Sequence, residues 1–183
     1  MNQPNLWYKV KAQDFDNADI GSIYGNETNV MKRKLVINAN NLPDIKTKPG
    51  FRLGFRIISS SENTANARLE SLVLSREQVG RMIRHNSSKI EVVRRIKIKE
   101  EEYAIKTLVI ISKAENKYKK FVREETNKFI DSVAGKDGLK ELVLDVLAGK
   151  VQNQLHKKLS KIYPTRATEI RMIEKLNAAN QKS

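Results

Sequence analysis

Residues reactive enough to build an active site are few and scattered. His85 and His156 stand apart, with no carboxylate or nucleophile at a catalytic or metal-ligand spacing, and the chain has no cysteine. Surface or capping roles suit His85, and a structural or exposed role suits His156. Glu100-Glu101-Glu102 could hold a divalent ion, but three acids between two apolar runs read more simply as an exposed turn. The glycines at 21 and 25 lack the Gly-Lys-Ser/Thr that completes a phosphate loop. The expectation is therefore no enzyme, no metal and no cofactor. What the chain holds in quantity is positive charge, with 35 Lys and Arg against 21 Asp and Glu, a net +14. The excess is spread evenly, since 19 basic and 12 acidic residues precede Lys113. Such charge opposes compaction unless a polyanion neutralises it, and nucleic acid is the leading candidate. A membrane surface fits less well, because no helix pairs a basic face with a broad Trp/Phe/Leu face.

The elements that must carry those bases centre on Lys89–Ser112, KIEVVRRIKIKEEEYAIKTLVIIS. Two β-branched runs flank the acidic triplet, which reads as a hairpin. Period-two alternation puts Ile90, Val92, Ile96 and Ile98 on one face, interrupted by Arg94. Glu91, Val93, Arg95, Lys97 and Lys99 fall on the other. From Tyr103 to Ile111 the second strand is apolar on both faces, so it is expected to be central and covered on both sides. About nine aliphatic side chains at roughly 1.5–3 kcal/mol each make this hairpin the largest local source of stability, as an upper bound.

Before the hairpin, Trp7-Tyr8-Lys9-Val10-Lys11-Ala12 reads as a short edge strand. A core-capping role suits Trp7 better than RNA contact, although both stay open, and Lys9 and Lys11 are free for phosphates. Asp14–Thr28 reads as loop, Val30–Ile37 as a strand with Lys32 and Lys34 on one side, and Asn38–Lys48 as loop or short helix. Phe51–Ile58 alternates as a half-buried strand with Arg52 and Arg56 outward, and Gly54 marks a bulge or a close backbone approach. Ser59–Thr64 is a turn and Ala67–Leu74 a strand. Ser75-Arg76-Glu77-Gln78 has capping-box spacing and opens a short helix to about His85.

After Lys113 the period changes to three and four. Tyr118, Phe121, Val122, Phe129, Ile130 and Val133 mark one amphipathic helix, whose other face carries Lys113, Lys117, Lys119, Lys120, Arg123 and Lys128. Gly135–Gly138 reads as a helix stop, 139–147 and 151–162 as further helices, and 177–183 as a frayed end. Thr165–Leu176 could be strand or helix from pattern alone. The order argues for an α+β fold with the sheet first and helices after it. Two parts are expected, a β-rich RNA-binding core over 1–112 and a helical part over 113–183 packed on it as a single structural unit. The absence of cysteine fits a reducing compartment, and neither a signal peptide nor a membrane span is evident. A soluble, intracellular protein is expected.

Three anchors occur in order. They are Trp7–Ala12, then Leu74-Ser75-Arg76-Glu77 before the hairpin, then Lys161-Ile162-Tyr163-Pro164 followed by Thr168-Glu169-Ile170-Arg171. Together they resemble the S3Ae (S1e) family of small-subunit ribosomal proteins, and the short N-terminus and the Glu-Ile-Arg resemble its archaeal branch. The resemblance runs from Leu6 to Leu176. It implies a β-barrel-like antiparallel sheet with a short capped helix and C-terminal helices, with a returning strand after Pro164. It also implies a structural place on the platform of the cytoplasmic small subunit, near the mRNA exit and the rRNA 3′ end, in support of translation. The partners implied are small-subunit rRNA, neighbouring platform proteins and mRNA near the exit, with no membrane and no homo-oligomer. Several features depart from the family pattern. A basic N-terminal arm is missing, Ala12-Gln13 replaces alanine-proline, the hairpin turn lacks glycine and reads as longer, and residues 21–30 match poorly.

On this reading the RNA-binding residues are Trp7, Lys9, Lys11, Arg52, Arg56, Arg95, Lys97, Lys99, Lys113, Lys117, Lys119, Lys120, Arg123, Arg166 and Arg171. Contact is expected to be mainly with phosphates and shape, because bases inside an A-form helix are hard to reach. The alternative is a free-standing nucleic-acid-binding regulator that reads bases with the helix after Ser75. That helix is short, and no dimerisation element accompanies it.

Overall fold

The computed structural model describes residues 5–43, 45, 47–134 and 138–176, and the chain forms two compact units, 1–71 and 72–183. In the first, β1 (Leu6–Ala12) is antiparallel to β2 (Ala18–Gly25) and parallel to β5 (Thr64–Leu74). β5 also pairs with β4 (Phe51–Ser61), and β4 with β3 (Lys34–Asn38). A one-turn helix α1 (Glu27–Val30) and a 3-10 turn (Ala39–Asn41) connect them. Alternation sorts β1 cleanly, burying Tyr8, Val10 and Ala12 and leaving Trp7, Lys9 and Lys11 outside. On β4 the buried set is Phe51, Leu53, Phe55 and Ile57, as the sequence predicts.

Three expectations for this unit change. β1 is not an edge strand, since it has a neighbour on each side. The polar stretch 14–28 is not loop throughout, because it contains β2 and the start of α1. Its strand conformation comes from the β1 ladder, and the preceding loop is tethered when the Leu69 N–H donates to Asp14 Oδ2 at 2.6 Å. Phe15 also anchors that loop by packing edge-on to Phe55 at 5.9 Å. Strand β3 begins only at Lys34, because Val30 ends α1 and Lys32 takes a left-handed φ of 65°. The β4–β5 hairpin turns on Glu62 and Asn63, both at positive φ, which is the mirror-image turn that matches strand twist.

In the second unit β7 (Glu101–Ser112) lies between β6 (Ser87–Ile98) and β8 (Thr165–Lys175), antiparallel to both. All nine aliphatics of the predicted hairpin core are buried. The turn is shorter than expected. Ile98 pairs with Glu101, so only Lys99 and Glu100 form it, and Lys99 supplies the positive φ that a glycine would normally take. The segment after Pro164, which pattern alone left open, is the strand β8.

Helix α2 (Arg76–Met82) starts at Ser75, whose side chain accepts from the Gln78 N–H, and it ends three residues short of His85. Helices α3 (Asn116–Ala134), α4 (Leu139–Leu147) and α5 (Lys150–Ser160) follow. Gly149, at φ 77°, makes the left-handed break between α4 and α5. Val122 and Ile130 of α3, Val143 and Leu147 of α4, and Leu155 and Leu159 of α5 are all buried. The predicted helix stop at 135–137 and the tail 177–183 lie outside the described residues.

The fold is α+β with C-terminal helices, but its ladders are mixed and do not close into a barrel. Among the described strands β2, β3 and β6 each have one neighbour, and the β1–β5 pair is parallel. A parallel pair needs a crossover, which β2, β3 and β4 supply here, so a simple antiparallel closure is not available.

Gly54 lies where strands crowd. A Cβ there would sit 2.3 Å from Ser71 Oγ and 2.6 Å from Lys34 Cε. The lysine can swing away, but Ser71 is buried. Gly54→Ala gains about 0.5–1 kcal/mol from backbone entropy but costs about 1–3 kcal/mol in overpacking. The expected result is a lower midpoint of chemical denaturation, by about 1 kcal/mol of stability, partly recovered when Ser71→Gly is added.

Candidate nucleic-acid interface

The predicted bases fall on several faces, and alternation decides which of them reach solvent. In the first unit Trp7, Lys9 and Lys11 share the outward side of β1. Trp7 does not cap the core. It is 65% exposed and meets its ladder partner Tyr24, itself 51% exposed, at 5.3 Å with the rings tilted by 49°. Burying Tyr8 and Val10 forces Trp7 outward, because the three positions alternate in one strand. Arg52 is exposed on β4. Arg56 is engaged internally, with Nε 2.7 Å from Glu70 Oε1 and 2.8 Å from Oε2, and Nη1 donating to the Lys32 carbonyl at 2.7 Å. That carboxylate, chiefly through its hydrogen bond, raises the Arg56 pKa.

In the second unit Arg95 and Lys97 stand on the outer side of β6 with the exposed Val93, and Lys99 stands at the turn. Arg94, the interruption in the apolar face, has a partner. Its Nε and Nη2 donate to Asp131 Oδ1 and Oδ2 of α3, both at 2.8 Å, and this raises its pKa. Arg171 reaches across β7 to Glu91 of β6. Glu91 also takes Lys89 at 2.9 Å, and Lys89 above all, then Arg171, holds its carboxyl below the ordinary range.

Along α3, Lys120 and Arg123 are exposed, Lys119 is half-buried and Lys117 lies 3.2 Å from Glu115. Lys117 also sits over the Tyr118 ring, 5.0 Å from its centre, and Tyr118 contacts Tyr163 at 4.9 Å. The amphipathic reading of α3 holds for Val122, Phe129 and Ile130, whereas Tyr118 and Phe121 are exposed. Lys113 precedes the helix, and its carbonyl accepts from the Tyr163 hydroxyl at 2.9 Å. Lys128 is committed to Glu125 at 2.8 Å.

Arg166 opens β8 beside a cleft of about 650 Å³ that it lines with Arg81, Arg84, Met82 and Ala167. Arg81 lies in the last turn of α2 and Arg84 just beyond its end. What brings them to Arg166 is the return of the chain as β8, which local pattern left ambiguous. Tyr24 was missed because its segment reads as loop.

Glu101 and His156 take structural places, and His85 is exposed. Glu101 accepts from Tyr103 Oη at 2.7 Å and pairs with Lys175. His156 Nε2 lies 3.1 Å from the Thr165 carbonyl, which ties α5 to the start of β8. Among the described residues no cluster of His, Asp and Glu could hold a metal ion. Nor does any ion pair there engage Lys9, Lys11, Arg52, Arg95, Lys97, Lys99, Lys120, Arg123 or Arg166. An arrangement of unpaired cations on open sheet and helix faces can bind an extended polyanion.

The sequence matches the family described as the ribosomal S3Ae family over residues 5–179. It is 24% identical over 169 residues to the small ribosomal subunit protein eS1 of Methanothermobacter thermautotrophicus, which covers 90% of this chain and 86% of that one. The eS1 protein of Desulfurococcus amylolyticus is 28% identical over 170 residues, covering 90% and 79%. That of Methanopyrus kandleri is 26% identical over 184 residues, covering 96% and 87%.

Two outcomes test which charges are structural. Arg56→Ala leaves Glu70 (6% exposed) without its guanidinium. The expected loss in denaturant titration is about 2 kcal/mol, less than the roughly 3–5 for a fully buried pair, because the Arg56 side chain is 36% exposed. Glu91, with its pKa lowered in the fold, contributes stability above the ordinary carboxylate range that is lost as pH falls through the folded value. Glu91→Gln should therefore be less stable than the parent at neutral pH and lose less on acidification, as followed by thermal melting.

Proposed function

The chain belongs to the ribosomal S3Ae family, and from that premise we infer that it is a structural constituent of the small ribosomal subunit in the cytoplasmic ribosome, and not an enzyme. The observation that carries this is the family match over 5–179, which spans both compact units. The relatives named as small ribosomal subunit proteins support it, as does the net charge of +14.

The finer reading is that the protein binds small-subunit rRNA on the platform, near the mRNA exit and the rRNA 3′ end, beside neighbouring ribosomal proteins. Its contacts are with the sugar-phosphate backbone, through the outward cations of β1, β4, β6 and α3 and through Arg166 at the start of β8. Phosphate contacts of this kind position a protein on folded RNA without reading sequence. Arg56 and Arg171 serve RNA less directly, because each is already held by a carboxylate. The free-standing regulator gains nothing from α2, since seven residues make only two turns.

Binding of the purified protein to a fragment of small-subunit rRNA should weaken on the order of 10³-fold between about 50 and 200 mM salt if about six phosphates are neutralised. In cell extracts the protein should co-sediment with small subunits in moderate salt. A flat salt response, or release from the small-subunit peak, would refute the assignment.

A further inference from the structure

A tryptophan that is two-thirds exposed beside a half-exposed tyrosine has no role in the core. The neighbours of this pair on the same face are polar, since Lys9 pairs with Ser22 and Lys11 with Asp19 across the β1–β2 ladder. The patch is thus one aromatic pair in a polar, net-basic surround, and not the broad apolar area that marks a protein-docking face. Arg33 adds a cation, its Nη1 donating to the Tyr24 carbonyl at 3.1 Å. Asp19 is partly occupied, because its Oδ1 accepts from the Gly21 N–H at 3.0 Å.

We propose that Trp7 and Tyr24 form a stacking platform for an unpaired RNA base, with Lys9 and Lys11 taking the phosphates that follow it along β1. The spacing suits this. Alternate residues of a strand are about 7 Å apart, so Trp7, Lys9 and Lys11 present one ring and then two cations in a line that an extended strand of RNA can follow. A tilted pair leaves the outer Trp7 face open, and every base has a π-face to set on it, so the site discriminates paired from unpaired RNA without reading sequence. Bases in an A-form duplex have no face to offer, which separates this contact from phosphate binding elsewhere on the chain. The inference rests on the RNA-binding reading above and adds a ligand class to it, single-stranded RNA.

Trp7 is the sole tryptophan of the chain, so its fluorescence reports on this site directly. The full-length protein is titrated with an oligoadenylate, with an abasic strand of the same length, and with a long RNA duplex in which terminal base pairs are few. The duplex should leave Trp7 emission unchanged, and quenching by it equal to that by the oligoadenylate would overturn the proposal. The oligoadenylate should quench Trp7 emission, whereas the abasic strand should bind roughly ten- to a hundredfold more weakly and leave the emission unchanged. With a labelled oligoadenylate followed by anisotropy, Trp7→Ala should lose a similar factor and Trp7→Phe should keep most of the affinity. Tyr24→Ala should fall between them. Affinity for the abasic strand should be the same in all the variants and drop in Lys9→Ala. Because both rings are exposed, thermal melts of the variants should match the parent. Equal affinity for the base-bearing and abasic strands, or undiminished oligoadenylate binding by Trp7→Ala, would overturn the proposal. So would a protein that ignores all single strands yet binds the rRNA fragment with steep salt dependence, an outcome that leaves the RNA-binding reading intact.

Discussion

Strand β7 sets the terms for the second unit. From Tyr103 to Ile111 it has no polar face, and Leu108, Val109, Ile110 and Ile111 are all buried. A strand of that kind is stable only with a ladder on each edge and cover on each face, because an exposed edge or face would cost either unpaired backbone groups or apolar area in water. β6 and β8 supply the ladders. The return of the chain after Pro164 is thus a requirement of β7, and the 52 residues between Ser112 and Thr165 must bring the chain back to its free edge. They do so as helices whose apolar stripes add to the same core.

Ion pairs fasten this arrangement at points where burial alone leaves freedom. Arg94 with Asp131 fixes α3 on β6, and Lys175 with Glu101 joins β8 to β7. Gln152 donates from Nε2 to the Val146 carbonyl and to Glu169, while Thr168 donates to the Gln152 carbonyl at 2.8 Å, so α5 is held to β8 by a buried polar set. Exposed pairs add little to stability one by one. Their consequence is a sorting of the charges, because each acid so used leaves the remaining cations without a partner of their own chain.

Legibility in the sequence follows how local each decision is. The β6–β7 hairpin, the alternation of β4, the Ser75 cap and the apolar stripe of α3 could be read, because residues two to four apart determine them. β2 could not, since Ala-Asp-Ile-Gly-Ser-Ile-Tyr-Gly has weak strand character and becomes a strand only on β1. The turn at Lys99 and Glu100 was hidden by Glu101 and Glu102, which pair as strand residues and not as loop. The candidate interface was legible as a list of outward bases and not as groupings. Arg56 and Arg171 could not be told from free cations, because Glu70 and Glu91 lie 14 and 80 residues away. Trp7 was misjudged because frequency places tryptophan inside, whereas parity along β1 places it outside.

Parity connects the fold with the function. In β1, β4 and β6 one set of alternate positions supplies the core, and the other set, in the same few residues, supplies the cations. A shift of one residue in register would bury Lys9, Arg95 or Lys97 and expose Val10 or Ile96, so that folding correctly and presenting the outward cations are the same event. At Lys9, Lys11, Arg52, Arg95 and Lys97 an anion would displace only water, because no ion pair of the described residues engages them. The repulsion among these unpaired charges is tolerated because the deep apolar ladder around β7 and the Phe15–Phe55 packing in the first unit hold the backbone against it. When RNA neutralises the charge, the repulsion is relieved, so binding and stability of the fold are expected to strengthen each other.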